Sequence, residues 1–218
     1  MVRHAMSARA VTHPVFYSLQ EYVFLERGNT LKHEYVAGRI YAMSGGTPEH
    51  ARLTAVIIGT LSAALNSGRC DVYSSDLRIR IRKADVNTYP DASVICGAPQ
   101  MDPADKNSAI NPIVLVEVTS KSTEQYDRGE KFEYYKQIPS LREYVLVSHR
   151  EPAIEVRRRT GRRWTSHVAR AGGQLELKSV DVTLDVDAIY QAAARARKPR
   201  SGDHRRPSRK GTGRRRPR

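Results

Sequence analysis

Six residues, Ile113-Val114-Leu115-Val116-Glu117-Val118, are apolar but for one carboxylate. A short, nearly continuous apolar run of this kind suits a central strand buried on both faces. An ionised glutamate there is costly unless something pairs with it. A second carboxylate, Asp91, follows Tyr89-Pro90 and precedes the apolar pair Val94-Ile95. Two acids carried into apolar surroundings by neighbouring strands are what a hard divalent cation binds, because Mg²⁺ takes oxygen ligands and is usually held by one or two carboxylates plus substrate phosphate. Lys121 and Lys131 both follow Glu117 closely, and either could complete a carboxylate–carboxylate–lysine set.

The flanking sequence predicts the scaffold. Ser18 is placed to cap a helix running to about Arg27, and Gly28-Asn29 stops it. Tyr35, Ile40 and Met43 around Ala37-Gly38 predict a short hairpin, with Glu34 near its start. Ser44-Gly45-Gly46 leads into Thr47-Pro48-Glu49, a strong helix start carrying His50 in the first turn. The glycines lack the Gly-Lys-Ser/Thr of a phosphate-binding loop. The helix extends to about Leu65 on the i, i+3, i+4 spacing of Leu53, Val56, Ile57 and Leu61.

Val72 to Ile81 alternates and reads as one strand, with Arg78, Arg80 and Arg82 sharing a face that would suit a phosphate backbone or water. Residues 97–111 read as a polar loop. Ser122 and Gln125 form a capping box for a helix to Ile138, followed by an apolar strand, Glu143–Val147. Strand, helix, strand predicts a right-handed crossover with 113–118 parallel to 143–147. A hairpin over 153–169, two short strands up to Val186 and a last helix at about 187–194 close the domain. The expected class is a mixed α/β sheet with few helices.

Charge sets the boundaries. Of the net +14, +11 falls in Arg195–Arg218, leaving +3 for residues 1–194. That segment has three prolines and no large apolar residue, so the expectation is a disordered basic tail able to attract polyanions by counterion release. Residues 1–14 are expected to be loose and 15–194 to form one domain. Cys70 and Cys96 have neither metal spacing nor a disulfide framework, and are expected to pack as small apolar residues in a reducing cytoplasm. No apolar run is long enough to span a bilayer, and Met1–Arg9 has no apolar segment behind it, so neither membrane insertion nor secretion is expected.

Pro90-Asp91 followed by Glu117 on the next strand resembles the PD-(D/E)XK nuclease superfamily. More closely, Glu34–Gly38, Gly46–His50, Tyr89–Val94, Val116-Glu-Val-Thr-Ser-Lys-Ser-Thr123, Tyr126-Asp-Arg-Gly-Glu-Lys-Phe132 and Ile138–Val147 resemble the Uma2 family of restriction-endonuclease-like proteins. The likeness spans about residues 15–190. It implies a restriction endonuclease-like core with flanking helices and an added hairpin, and a Mg²⁺- or Mn²⁺-dependent endonuclease acting on DNA. Asp91 and Glu117 would hold the metal, and Glu34 and His50 would add contacts. The superfamily places its lysine two residues after the glutamate, where this chain has Thr119. The family likeness favours Lys131, and Lys131 shares a helix face with Asp127, Tyr134 and Tyr135. The alternatives are a non-catalytic nucleic-acid-binding module and a partner-binding scaffold. Double-strand cleavage would need two sites, which a homodimer supplies most simply.

Overall fold

A computed structural model describes residues 15–43, 45–66 and 68–195. The expected loose N-terminus and nearly all of the expected basic tail lie outside the described residues. In chain order the elements are α1 (Leu19–Gly28), β1 (His33–Val36), β2 (Arg39–Ala42), α2 (Pro48–Leu65), β3 (Cys70–Ser74), β4 (Arg78–Ile81), β5 (Val86–Thr88), β6 (Ala92–Cys96), β7 (Met101–Asp102), β8 (Asp105–Ala109), β9 (Val114–Val118), α3 (Glu124–Arg128), α4 (Glu130–Tyr135), β10 (Glu143–Val147), β11 (Ala153–Thr160), β12 (Arg163–Arg170), β13 (Gln174–Leu177), β14 (Val182–Asp185) and α5 (Val186–Arg195).

Two six-stranded mixed sheets carry the fold, in the orders β12-β11-β10-β9-β6-β3 and β2-β1-β5-β4-β8-β7; β13-β14 forms a separate hairpin. The α/β class stands. The parallel pairing of β9 with β10 and the antiparallel β11–β12 hairpin are as expected. Strand alternation divides the core. Val114, Val116 and Val118 face one way, against Leu53, Ile57, Leu61 and Leu65 of α2 and Ile189 of α5. Leu115, Tyr144 and Leu146 face the other way, against Ile79, Ile81 and Val86 of the second sheet and Tyr135 of α4. Glu117 falls on this second face, between the sheets. On the far side of the second sheet, α1 covers Tyr35 with Tyr22 and Val23.

Local chemistry explains the helix starts. Ser18 accepts from the Glu21 N–H while the Glu21 side chain returns to the Ser18 N–H, a full capping box. Thr47 accepts from the His50 N–H, with Pro48 in the first turn.

Five expectations are corrected. The single alternating strand from Val72 to Ile81 is two strands, β3 and β4, in different sheets. The arginines are not a phosphate-facing row: Arg78 and Arg80 are buried and each is paired internally, Arg78 with Asp105 at 3.0 Å and Arg80 with Asp85 at 2.6 Å, while Arg82 meets Asp102 at 2.6 Å. The polar stretch after Cys96 is not a loop throughout but holds the hairpin β7–β8. Its fully buried Asp105 is neutralised by Arg78 and bonded by Asn87 and Ser108. The helix expected from Ser122 has Thr123 at its N-cap with no side-chain cap bond, and it breaks at Gly129 into α3 and α4. Cys70 and Cys96, directly opposed in the β3–β6 register, form a disulfide instead of packing separately. Antiparallel register, invisible in a separation of 26 residues, brings them together.

Arginines of β11 fix α3 and α4 to the sheet. Arg157 donates to the Arg128 carbonyl at 2.7 Å and Arg159 to the Lys136 carbonyl at 2.6 Å, a cation at the end of each helix. Glu155 joins them, bonded by Arg157 at 2.7 Å, by Ser166 at 2.8 Å and by Arg128. Burial works to raise the Glu155 carboxyl, but Arg157, Ser166 and Arg128 outweigh it and hold the group below its ordinary 4.5.

Two outcomes test this framework. A group held below its ordinary value stabilises fully above that value and loses the contribution as pH falls through its folded value. Glu155→Gln should therefore lower the thermal midpoint at neutral pH, with the gap to wild type closing below about pH 4.5 in melts recorded across pH. Reduction, or Cys70→Ser with Cys96→Ser, should cost about 2–4 kcal/mol in chemical denaturation. Thiol titration of the unreduced, denatured chain should find no free thiol.

Candidate active site

β6 and β9 are antiparallel, with Ala92 opposite Val116 and Ser93 opposite Leu115. Carried one step on, that register sets Asp91, just before β6, against Glu117. The Asp91 Oδ2 accepts from the Val118 N–H at 2.7 Å, which fixes its carboxylate at the end of β9. The Nε2 of His50 stands 3.2 Å from the same oxygen. A Cβ at Gly46 would lie 2.7 Å from the His50 Nδ1, so a side chain there would push the imidazole aside. The hydrogen bond to Asp91 holds the His50 imidazole above its ordinary value; burial opposes this and the Asp91 charge adds to it.

Lys131, on α4, points inward and is buried. Its Nζ lies 2.8 Å from the Glu117 Oε1, 3.2 Å from the Glu34 Oε1 and 3.9 Å from the Asp127 Oδ1. These partners come from β9, β1 and α3. Thr88, set opposite Glu34 by the β1–β5 register, donates to the Glu34 Oε1. Tyr135, one turn beyond Lys131, donates to the Glu117 Oε1 at 2.6 Å. Tyr144 fixes the end of α3 by donating to the Asp127 carbonyl at 3.0 Å. Lys121 is exposed. Thr119, in the place the superfamily gives its lysine, is fully buried with its hydroxyl 3.4 Å from the Val147 carbonyl.

Four carboxylates, Glu34, Asp91, Glu117 and Asp127, thus share one region with a single lysine and one histidine. Burial pushes the Glu117 carboxyl up to about 8; Lys131 pulls it down, and the charges of Asp91 and Asp127 push it up again. Burial likewise raises the Asp127 carboxyl against the pull of Lys131. Burial disfavours the Lys131 ammonium, yet Glu117, Glu34 and Asp127 together carry it well above the usual lysine range. Lys131 is a fixed cation at neutral pH, able to hold a water or stabilise an anion but not to accept a proton.

The donor set is of hard oxygens with an excess of negative charge, which fits Mg²⁺ or Mn²⁺. Among the described residues no three His, Cys, Asp or Glu side chains are grouped to hold an ion by themselves. That accords with an ion held by two carboxylates and completed by water and phosphate.

All five residues singled out from sequence, Asp91, Glu117, Lys131, Glu34 and His50, meet in this region. Sequence reasoning missed Thr88 and Tyr135 as their hydrogen-bonding supports. The i, i+4 step from Lys131 to Tyr135 was a usable signal, whereas Thr88 is placed by strand register alone. Asp127 had been put on the Lys131 face but not credited as a third buried acid.

Comparison with known proteins adds a family context. Residues 19–187 match the model of Uma2, described as "Putative restriction endonuclease". A Synechocystis sp. (strain ATCC 27184 / PCC 6803 / Kazusa) protein, "Uncharacterized protein slr1290", is 38% identical over 181 residues, covering 81% of this chain and 93% of its own length. A second protein of that organism, "Uncharacterized protein sll1609", is 30% identical over 145 residues, covering 66% of this chain and 82% of its own. Among solved structures, a crystal structure described as "a putative nuclease belonging to DUF820" from Anabaena variabilis ATCC 29413 superposes with a TM-score of 0.68 at 16% identity. It covers 83% of this chain and 99% of that one, which shows a shared fold. Among the described residues no helix is long and apolar enough to cross a membrane.

Removing the buried cation leaves its carboxylates uncompensated. Lys131→Met should destabilise the protein by about 3–5 kcal/mol in urea denaturation. Glu117→Gln in the same chain should recover part of that loss, since it removes one of the stranded charges.

Proposed function

The chain belongs to the Uma2 family, and on that premise we propose that it is a Mg²⁺- or Mn²⁺-dependent endonuclease that hydrolyses phosphodiester bonds in DNA. The observation that carries this reading is the contact of the Lys131 ammonium with Glu117, 2.8 Å away, beside an Asp91 carboxylate anchored to the very next amide of β9. Carboxylate, carboxylate and lysine are the elements of metal-assisted phosphodiester hydrolysis, delivered here by a helix lysine instead of one on the strand.

Asp91 and Glu117 would hold the ion. An ion so held lowers the pKa of a bound water and neutralises charge on the phosphate in flight. The residues divide the remaining work. Val118 and His50 occupy one Asp91 oxygen and Tyr135 and Lys131 one Glu117 oxygen, so each carboxylate keeps a second oxygen that these contacts do not use. Lys131, held as a cation, orients the attacking water and stabilises developing negative charge. Glu34 keeps Lys131 in place across the gap between the sheets. His50 stands against Asp91 at the helix start, where it can meet the scissile phosphate or the leaving oxygen. A cytoplasmic DNA substrate and a dimer with paired sites complete the reading.

The test is nicking of supercoiled plasmid with each divalent metal in turn. Wild type should nick with Mg²⁺ or Mn²⁺ and not with chelator. Asp91→Ala and Glu117→Ala should each lower the rate by at least about a thousandfold, as loss of a group stabilising transition-state charge does, with unchanged circular dichroism. Wild type that leaves DNA and RNA intact with every metal would end the enzyme reading.

A further inference from the structure

Among the described residues, five of the seven exposed large apolar side chains, Val15, Phe16, Phe24, Leu25 and Leu31, fall between residues 15 and 31, and Phe24 and Leu25 line one cavity together. Isolated exposed apolar residues are ordinary, but a clustered patch marks an interaction surface. Phe24 is its centre, 77% exposed on a helix whose opposite face, Tyr22 and Val23, is wholly committed to the core. Beside it opens a cavity of about 410 Å³ lined by Tyr17, Gln20, Glu21, Phe24 and Leu25.

We propose that α1 docks against α1 of a second copy of this chain, the two helices antiparallel about a two-fold axis at Phe24. The neighbours of Phe24 on its face are Gln20, Glu21, Arg27 and Gly28, at i−4, i−3, i+3 and i+4. An antiparallel pair centred on Phe24 sets residue 21 of one copy against residue 27 of the other, so Glu21 meets Arg27 twice, once on each side of the axis. Within one helix these two are six residues apart and cannot pair. The Glu21 Oε2 is taken by the Ser18 N–H and hydroxyl, at 2.6 and 2.8 Å, which leaves Oε1 for the second copy. Among the described residues Arg27 is exposed and forms no ion pair. At Gly28 there is open space where a side chain would stand, so the helices can approach there. Each Phe24 then enters the cavity of the other copy, the same patch serving both sides as a two-fold contact demands. Charge complementarity in this one register selects a second copy over a foreign partner.

The proposal does not rest on nuclease activity, and its measurement is separate. The full chain is examined by light scattering after size exclusion and by sedimentation over a range of concentrations. Wild type is expected to dimerise. Phe24→Glu should raise the dissociation constant by about thirtyfold or more, as loss of a central apolar anchor does, with the circular dichroism unchanged. Arg27→Glu should weaken the dimer, and Arg27→Glu with Glu21→Arg should restore it. Glu21→Arg also removes the helix cap, so the rescue is read on dimerisation alone. A wild type that is monomeric throughout, or a dimer that survives Phe24→Glu, overturns the proposal. So does a monomer that dimerises only after deletion of residues 1–14, which would make that segment the occupant.

Discussion

The buried ammonium of Lys131 is the interaction on which the arrangement depends. Burying a charge is costly, and the cost is offset only when partners with good geometry surround it. Here the partners come from both sheets: Glu117 from the central strand of one, Glu34 from the second, with Asp127 from the preceding helix. Thr88 and Tyr135 hold those two glutamates from behind. The cation that would act on a phosphate therefore also fastens the two sheets to each other. Replacing Lys131 itself would therefore change site and scaffold together.

The balance of charge around it is deliberately incomplete. Lys131 and His50 face four carboxylates, and the protein tolerates burial that pushes Glu117 and Asp127 toward their protonated forms. A purely structural cluster would gain from replacing one acid by an amide or an apolar group, because half-compensated buried charge is a liability. An excess of oxygen donors grouped in one region is explained if a cation joins them. The strained balance is then part of the chemistry, as is common where function and stability compete.

Much of this was legible in the sequence because it rested on local pattern. Nearly continuous apolar runs exposed β9 and β10, the Thr47-Pro48 start exposed α2, and the lone acids in apolar runs exposed Asp91 and Glu117. Lys131 was reachable because i, i+4 geometry is fixed by the helix. What failed was long-range pairing. The buried Asp105 looked like a loop residue because its neutralising Arg78 lies on another strand, 27 residues back. The Cys70–Cys96 bond and the Thr88–Glu34 contact follow from register, which no composition rule reveals. The break at Gly129 was missed because a helical face continues through it, from Asp127 to Lys131, even though the backbone does not.

The same long-range pairing changes what the basic composition means. Arg78, Arg80 and Arg82 are spent on Asp105, Asp85 and Asp102, and Arg157 and Arg159 on helix-end carbonyls. The planar fork of arginine suits such internal ties, and a guanidinium so used is lost to solvent. Net positive charge is thus a poor guide to where a polyanion would lie on this fold. The candidate site is itself anionic, and on the nuclease reading it would repel a phosphate until a divalent ion is present. On that reading, metal and substrate must then enter together, or the metal first. On the same reading, the long-range attraction for DNA would come from positive charge outside this region, and the sequence concentrates such charge beyond Arg195, with ten Lys and Arg more than needed to balance Asp203.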